Sequence, residues 1–221
     1  MKRLALILTA LLICCAASAQ VRVDESVAFG YNRSWGIYED DATMVDWLIR
    51  KRLDLRGGLR LQSALTATEF GAKYYFNDSF GAEGFFIGQR SKEYDFRERN
   101  IGLLGLWRWK DQVEVKAGTV FKWLRPFKGG SGVSEPFNFA YSVSFWALDT
   151  EKCFNVGGSI STLDIFTAER FYCPMLTVKL RYRINRRVVL YLNFREHNSG
   201  IFDLTSIRYD RQFRLGTIVT W

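Results

Sequence analysis

From residue 69 onward, apolar and polar side chains alternate in segments of about ten residues, a pattern that few folds accept. Phe137, Phe139, Tyr141, Val143 and Phe145 alternate with Asn138, Ala140, Ser142 and Ser144. Leu176, Val178, Leu180, Tyr182 and Ile184 alternate with Thr177, Lys179, Arg181 and Arg183. The runs Val113–Lys122 and Glu69–Phe76 repeat the pattern, as does the end of the chain. There Phe213, Leu215, Val219 and Trp221 fall on one side, and Arg214, Gly216 and Thr220 on the other. Side chains on a strand point alternately to its two faces, so each segment reads as a strand with one apolar and one polar face.

The punctuation between these segments is asymmetric. Short polar stretches lie at Asn77-Asp78, Lys110-Asp111-Gln112, Asp149 to Lys152 and Asn185-Arg186-Arg187. Longer, charge-rich connections run Ser91 to Arg99, Trp123 to Pro136, Asp164 to Cys173 and Asn198 to Ile207. Short turns suit hairpins. Pro126 and Pro136 are expected in the longest loop, and Pro174 at a strand start, where a missing N–H does least harm. Strands are expected near 208–221, 188–197, 174–184, 153–163, 137–147, 113–122, 100–109, 79–90 and 69–76. Residues 59–67, 44–56 and 21–37 would complete twelve. The stretch after Asp41 also fits an amphipathic helix with Met44, Val45, Leu48, Ile49 and Leu53 on one side, which would reduce the count to ten. An even number is needed to return both ends to one side, and twelve is the expectation.

The first residues describe an export signal. Met1-Lys2-Arg3 is basic, Leu4 to Cys15 is apolar, and Ala17-Ser18-Ala19 is a small-x-small cleavage site before Gln20. A lipoprotein reading through Cys14 or Cys15 fits less well, because Ile13 and Cys14 are poor residues immediately before a lipidated cysteine. Residues 1–19 are therefore read as a signal peptide and 20–221 as one domain. Losing Lys2 and Arg3 takes the formal charge from +8 to +6. Nothing after residue 20 approaches the roughly 18–20 uninterrupted apolar residues of a membrane helix.

The closing octapeptide, through Arg214, Gly216, Val219 and Trp221, resembles the C-terminal signal of bacterial outer-membrane β-barrels. That resemblance implies an all-β transmembrane antiparallel barrel. Its surroundings would be outer-membrane lipid and lipopolysaccharide, and the barrel assembly machinery would be a partner. Segments of about ten residues, tilted, are long enough to cross a bilayer, with the apolar face toward lipid. A secreted soluble β-barrel or sandwich, with the apolar face as its core, is the alternative.

If the polar faces line a lumen, parity places Arg60, Lys73, Arg108, Lys116, Lys122, Lys179, Arg181, Arg183, Arg195 and Arg214 inside, against Glu69, Glu83 and Glu114. Two readings follow. A narrow passive pore with a basic wall would favour small anionic solutes. Alternatively, the charges pair and the barrel is a plugged, structural surface protein. Tyr75, Phe85 and Trp146 on glycine-poor inner faces favour filling. Leu53-Asp54-Leu55-Arg56-Gly57-Gly58-Leu59-Arg60 resembles the strand opening of twelve-stranded porins for acidic oligosaccharides, whose lumens carry arginines, and this implies a pore.

One motif suggests chemistry. His197-Asn198-Ser199 resembles the lipid A deacylase barrels, which use His, Ser and a later Glu as a hydrolytic triad. The resemblance would make Ser199 the nucleophile and His197 its base. Gly200 stands where that family has Asn, and no Glu follows Glu196, leaving Asp203 or Asp210 as the acid. Parity also turns His197 toward the interior, away from lipid. One histidine and two cysteines after the leader offer no zinc constellation, no phosphate-cradling glycine loop is present, and the basic residues form no exposed patch for nucleic acid. No cofactor is expected. Cys153 and Cys173 are expected as free, buried thiols. Trp35, Trp107, Trp109, Trp123 and Trp221 fit interfacial girdles.

Overall fold

The computed structural model describes residues 19–33, 36–49, 52–62, 65–91, 97–125, 131–148, 153–163, 174–199 and 207–221. The alternating segments form β1 (Ala19–Asn32), β2 (Gly36–Ile49), β3 (Leu53–Gln62), β4 (Leu65–Tyr75), β5 (Phe80–Ser91), β6 (Arg97–Trp109), β7 (Val113–Arg125), β8 (Val133–Trp146), β9 (Phe154–Ser161), β10 (Met175–Arg183), β11 (Val188–Ser199) and β12 (Ile207–Thr220). Each strand pairs antiparallel with its neighbours in sequence, and β1 pairs with β12 to close a twelve-stranded barrel. Closure extends to the last residue: Val21 and Trp221 exchange N–H···O bonds of 3.2 and 2.9 Å. The expected parity holds on β12, where Phe213 and Leu215 are exposed on the outer face, while Gln212, Arg214 and Gly216 are buried.

Ala19, where β1 begins, and Trp221 lie on the side of the short turns. Two of those turns use one device. The Asn77 carboxamide oxygen accepts from the N–H groups of Ser79 and Phe80, and that of Asn185 from Arg187 and Val188. An Asx turn of this kind supplies backbone partners locally, so four residues suffice to reverse the strand. Asn155, fully buried, clasps Leu148 through both its donor and its acceptor at the next turn.

The N-terminal third departs from the expected boundaries. The stretches 21–37, 44–56 and 59–67 do not each form a strand. Reversals fall between β1 and β2, at 50–52, and between β3 and β4, so each expected strand straddles a turn. The region after Asp41 is strand, not helix. On β2, Ala42 and Met44 point inward and are buried, whereas Glu39 and Asp41 point outward, so apolar and polar residues occur on both faces and blur the period of two.

Two other expectations are corrected. Pro136 lies within β8, at a bulge where Phe121 of β7 is opposed by both Pro136 and Phe137. Phe137 takes a left-handed φ of 62° there, and the unpaired backbone of a bulge tolerates proline. Cys153 is exposed at the start of β9, not buried. Residues 1–18, Trp35, Pro126, 149–152, Asp203 and Cys173 lie outside the described residues.

The interior is unevenly filled. Ala42, Met44, Ala67, Phe85, Ile87, Leu104, Val120 and Ala140 form an inward-facing apolar cluster on β2 and β4–β8, with Leu163 against it. Nor are the inner faces poor in glycine: four inward glycines sit directly across from an aromatic residue. The pairs are Gly30–Tyr38, Gly102–Phe85, Gly157–Trp146 and Gly216–Tyr191. Each ring lies flat over its glycine, because a Cβ there would come within 2.2–2.7 Å of ring atoms. Gly102→Val should therefore force Phe85 out of the apolar cluster, at a cost of about 1–3 kcal/mol. The expected readout is a lower unfolding midpoint in urea for the detergent-folded barrel. Adding Phe85→Ala should recover part of the loss. A Gly102→Val midpoint equal to the parent would contradict this packing.

Candidate lumenal site

Three groups of charged side chains face the interior, and two of their carboxylates, Asp40 and Asp46, come from β2, where the sequence pattern is least regular. Asp40 on β2 is the centre of the first, with no exposed side-chain surface. Its Oδ2 accepts from Arg60 Nε (2.9 Å), Arg214 Nη2 (2.7 Å) and Gln212 Nε2 (3.1 Å), and Arg214 Nη1 donates to Ser26 Oγ at 2.9 Å. Both guanidinium groups are nearly as buried as the acid. Removing one partner of such a buried cluster leaves an uncompensated charge.

The second group forms a belt around the turn-side half. Asp46 holds Arg22 and, through Oδ1, Arg56 Nε at 3.0 Å. Arg56 reaches Glu69 at 3.4 Å and Glu83 at 4.0 Å. Lys116 closes on Glu83 at 2.8 Å and on Glu114 at 3.4 Å. The belt links β1, β2, β3, β4, β5 and β7. The third group lies toward the long-loop end. Tyr38 donates to both oxygens of Asp210 (2.8 and 3.0 Å), and Arg195 Nη2 donates to Oδ2 at 3.0 Å. Lys122 meets Glu98 at 3.3 Å, and Glu98 also accepts from Asn100.

Of the basic residues picked out by parity, Arg60, Lys116, Lys122, Arg195 and Arg214 thus meet interior carboxylates. Arg108 stacks over Tyr75 at 4.7 Å and lies 3.7 Å from Asp111 in the adjacent turn. Arg181 stacks over Trp146 at 4.4 Å. Lys73 is buried on β4, Lys179 borders a cavity, and Arg183 ends β10 on the turn side. Sequence reasoning missed Arg22, Asp24, Tyr38, Asp40, Asp46, Asp54, Arg56, Glu98 and Asp210 as interior groups. The signal was present, because Asp40 and Asp46, and likewise Arg56 and Arg60, are spaced by even numbers and so share a face.

The apolar cluster and these groups leave a cavity of about 270 Å³ against β8–β12. Ser142, Ser159, Ser161, Thr177 and Asn193 give that wall a hydroxyl and amide surface, and Lys179, Arg195 and Arg214 border it. Arg56, Glu69, Glu83 and Lys116 border it from the other side.

Two of the candidate catalytic residues, His197 and Asp210, face the interior toward the long-loop end. His197 is buried on the inward face and stands directly across from Asp210, whose carboxylate is engaged by Tyr38 and Arg195. The β11–β12 register shifts immediately after His197, and Ser199 follows at the strand end. At the other end of β12, Gly216 is covered by Tyr191, and Trp221 is 45% exposed.

No family model and no curated protein matches the chain. Solved structures do. The KdgM porin aligns with a TM-score of 0.58 at 14% identity, covering 90% of this chain and 99% of that one. The NanC porin aligns with 0.58 at 8% identity, covering 88% and 98%. An outer membrane channel from Pseudomonas putida F1 aligns with 0.51 at 10% identity, covering 93% and 96%. The fold is that of small outer-membrane β-barrels of porin type.

The Asp40 cluster carries a stability prediction. Asp40→Leu would leave Arg60 and Arg214 without their shared carboxylate and should destabilise the folded barrel by about 3–5 kcal/mol. Equilibrium unfolding in urea measures it. A change below about 1 kcal/mol, the level of an exposed pair, would show that the cluster contributes little.

Proposed function

We propose that the chain is exported through residues 1–19, assembles in the outer membrane with the Arg214–Trp221 signal, and acts as a narrow passive channel preferring small anionic solutes. The charge around the cavity carries this reading. Arg56, Lys116, Lys179, Arg195 and Arg214 border it against only Glu69 and Glu83. The acids that hold Arg195 and Arg214 do not border it. An anion inside would meet cations and hydroxyl groups on the β8–β12 wall, in a setting where low-dielectric walls strengthen the field. The KdgM porin, which shares the fold, was solved in complex with disordered oligogalacturonate. That chain and this one are too distant for the ligand to be transferred, but the acidic character of the solute agrees with the charge here. The parity of the strands supports lipid and lipopolysaccharide as the surroundings of Phe70, Leu103, Val178 and Leu215, all exposed on the outer face.

A plugged, structural barrel is the second reading, supported by the apolar cluster that fills the β2 and β4–β8 side. Planar bilayers separate the two. In a KCl gradient the channel should show an anion-selective reversal potential, and Lys179→Glu should move it toward zero. Silence across several active preparations would favour the plug. N-terminal sequencing of the purified protein should begin at Gln20.

A further inference from the structure

The cavity has two chemically different sides, and they face each other. β4 and β10 stand six strands apart in a closed barrel of twelve, so they are diametrically opposed. Glu69 projects inward from β4 and Lys179 from β10, and both border the same cavity of about 270 Å³. Near Lys179 the wall adds Thr177 and, on β11, Asn193.

Of the two acids that border the cavity among the described residues, Glu69 and Glu83, Glu69 is the one without a close donor. Its side chain is 6% exposed. Its Oε1 takes one long contact, 3.4 Å from Arg56 Nη1, while Arg56 is held at 3.0 Å by Asp46. Its Oε2 is buried with no hydrogen-bond partner among the described residues. By contrast, Glu83 has Lys116 at 2.8 Å. Asp40 Oδ1 and Asp54 Oδ1 are also buried without a partner among the described residues, but neither acid borders the cavity. A buried carboxylate oxygen without a donor carries a desolvation penalty that a cationic donor relieves. A turn about the last side-chain bond would present that oxygen to the cavity.

We propose that the cavity selects zwitterionic solutes: small molecules with an ammonium at one end and a carboxylate at the other. The ammonium donates to Glu69, and the carboxylate lies against the ammonium of Lys179 and accepts from Thr177 and Asn193. The volume accommodates a molecule of amino-acid size. A plain anion satisfies only the Lys179 side and leaves Glu69 as it was. A plain cation gains Glu69 but meets Lys179, Arg195 and Arg214. The inference rests on the channel reading for its biological sense. Among solutes carrying a carboxylate, it narrows that reading's preference to those that also carry an ammonium. Its test does not depend on conductance.

Calorimetric titration of the detergent-folded barrel with 4-aminobutyrate, butyrate and butylammonium measures the selection without requiring conductance. 4-Aminobutyrate should bind at least tenfold more tightly than either single-charge analogue. Glu69→Gln should abolish the advantage over butyrate, whereas Lys179→Gln should abolish the advantage over butylammonium. Glu69→Asp, which keeps the charge and shortens the arm, should retain an intermediate preference, and it serves if the amide variant fails to fold. Equal binding of 4-aminobutyrate and butyrate, absence of binding by all three, or a preference unchanged in both Glu69 variants would overturn the proposal. A barrel that binds 4-aminobutyrate selectively yet never conducts would keep this inference and remove the channel reading. One that conducts anions without the preference would do the reverse.

Discussion

The pairing of the first strand with the last is the constraint on which the rest of the molecule depends. A sheet that crosses a membrane cannot leave an edge, because unpaired N–H and C=O groups find no water in the hydrocarbon layer. Ten of the strands sit between neighbours supplied by hairpins, but β1 and β12 meet only when the two ends of the chain come together. The side chains reinforce that junction from within. Arg214 of β12 reaches Ser26 of β1 and Asp40 of β2, Gln212 reaches Asp40, Tyr38 of β2 reaches Asp210, and Tyr191 of β11 reaches Asp24 of β1. These bonds join residues 167–188 apart in sequence. Most involve a charged group, the class worth about 1.5–3 kcal/mol each when buried. The closing seam is thus cross-linked by side chains as well as by backbone, although local sequence offers it no help.

The same bracing shapes the lumen. Charges that close the seam on β1, β2 and β12 are compensated and held in place, and the apolar cluster fills the side formed by β2 and β4–β8. What remains open is the wall of β8–β12. There serine and threonine keep the side chains short: Ser142, Ser159, Ser161 and Thr177 line the cavity. An off-centre cavity is the consequence. Aromatic rings laid over Gly30, Gly102, Gly157 and Gly216 lie along the wall instead of crossing the lumen, so large residues are accommodated without blocking it.

Much of this was legible in the sequence, and the parts that were not have a common cause. On β10, β11 and β12 the outer face is largely apolar and the inner face polar or charged, so period two is clear and places Lys179, Arg195 and Arg214 on one parity. On β2 that contrast fails. Met44 fills the apolar cluster from inside, while Glu39 and Asp41 sit on the outer face near the long-loop end. Without a clean alternation the turns at 50–52 and after Gln62 were misplaced, and Asp40, Asp46 and Arg56 were lost as interior groups with them. The interior then read as three glutamates against ten cations, whereas the N-terminal strands add the carboxylates of Asp24, Asp40, Asp46 and Asp54 together with the cations Arg22 and Arg56. Gly30, Gly102, Gly157 and Gly216 were overlooked for a different reason: a glycine's role here is set by the aromatic residue on the neighbouring strand, and that pairing depends on register.

Arg214 shows how closely assembly and lumen chemistry are tied. It belongs to the C-terminal pattern, it borders the cavity, and it is bound to Asp40 and Ser26 across the seam. A substitution there changes closure and cavity charge together, so its effect on ion selectivity has no single cause. Lys179 lies in the middle of β10, between hairpin neighbours and away from the seam, and it borders the cavity without linking the chain ends. The two cations therefore have separable physical roles. Arg214 must stay charged to hold Asp40 across the seam, whereas Lys179 shapes the cavity without bearing on closure.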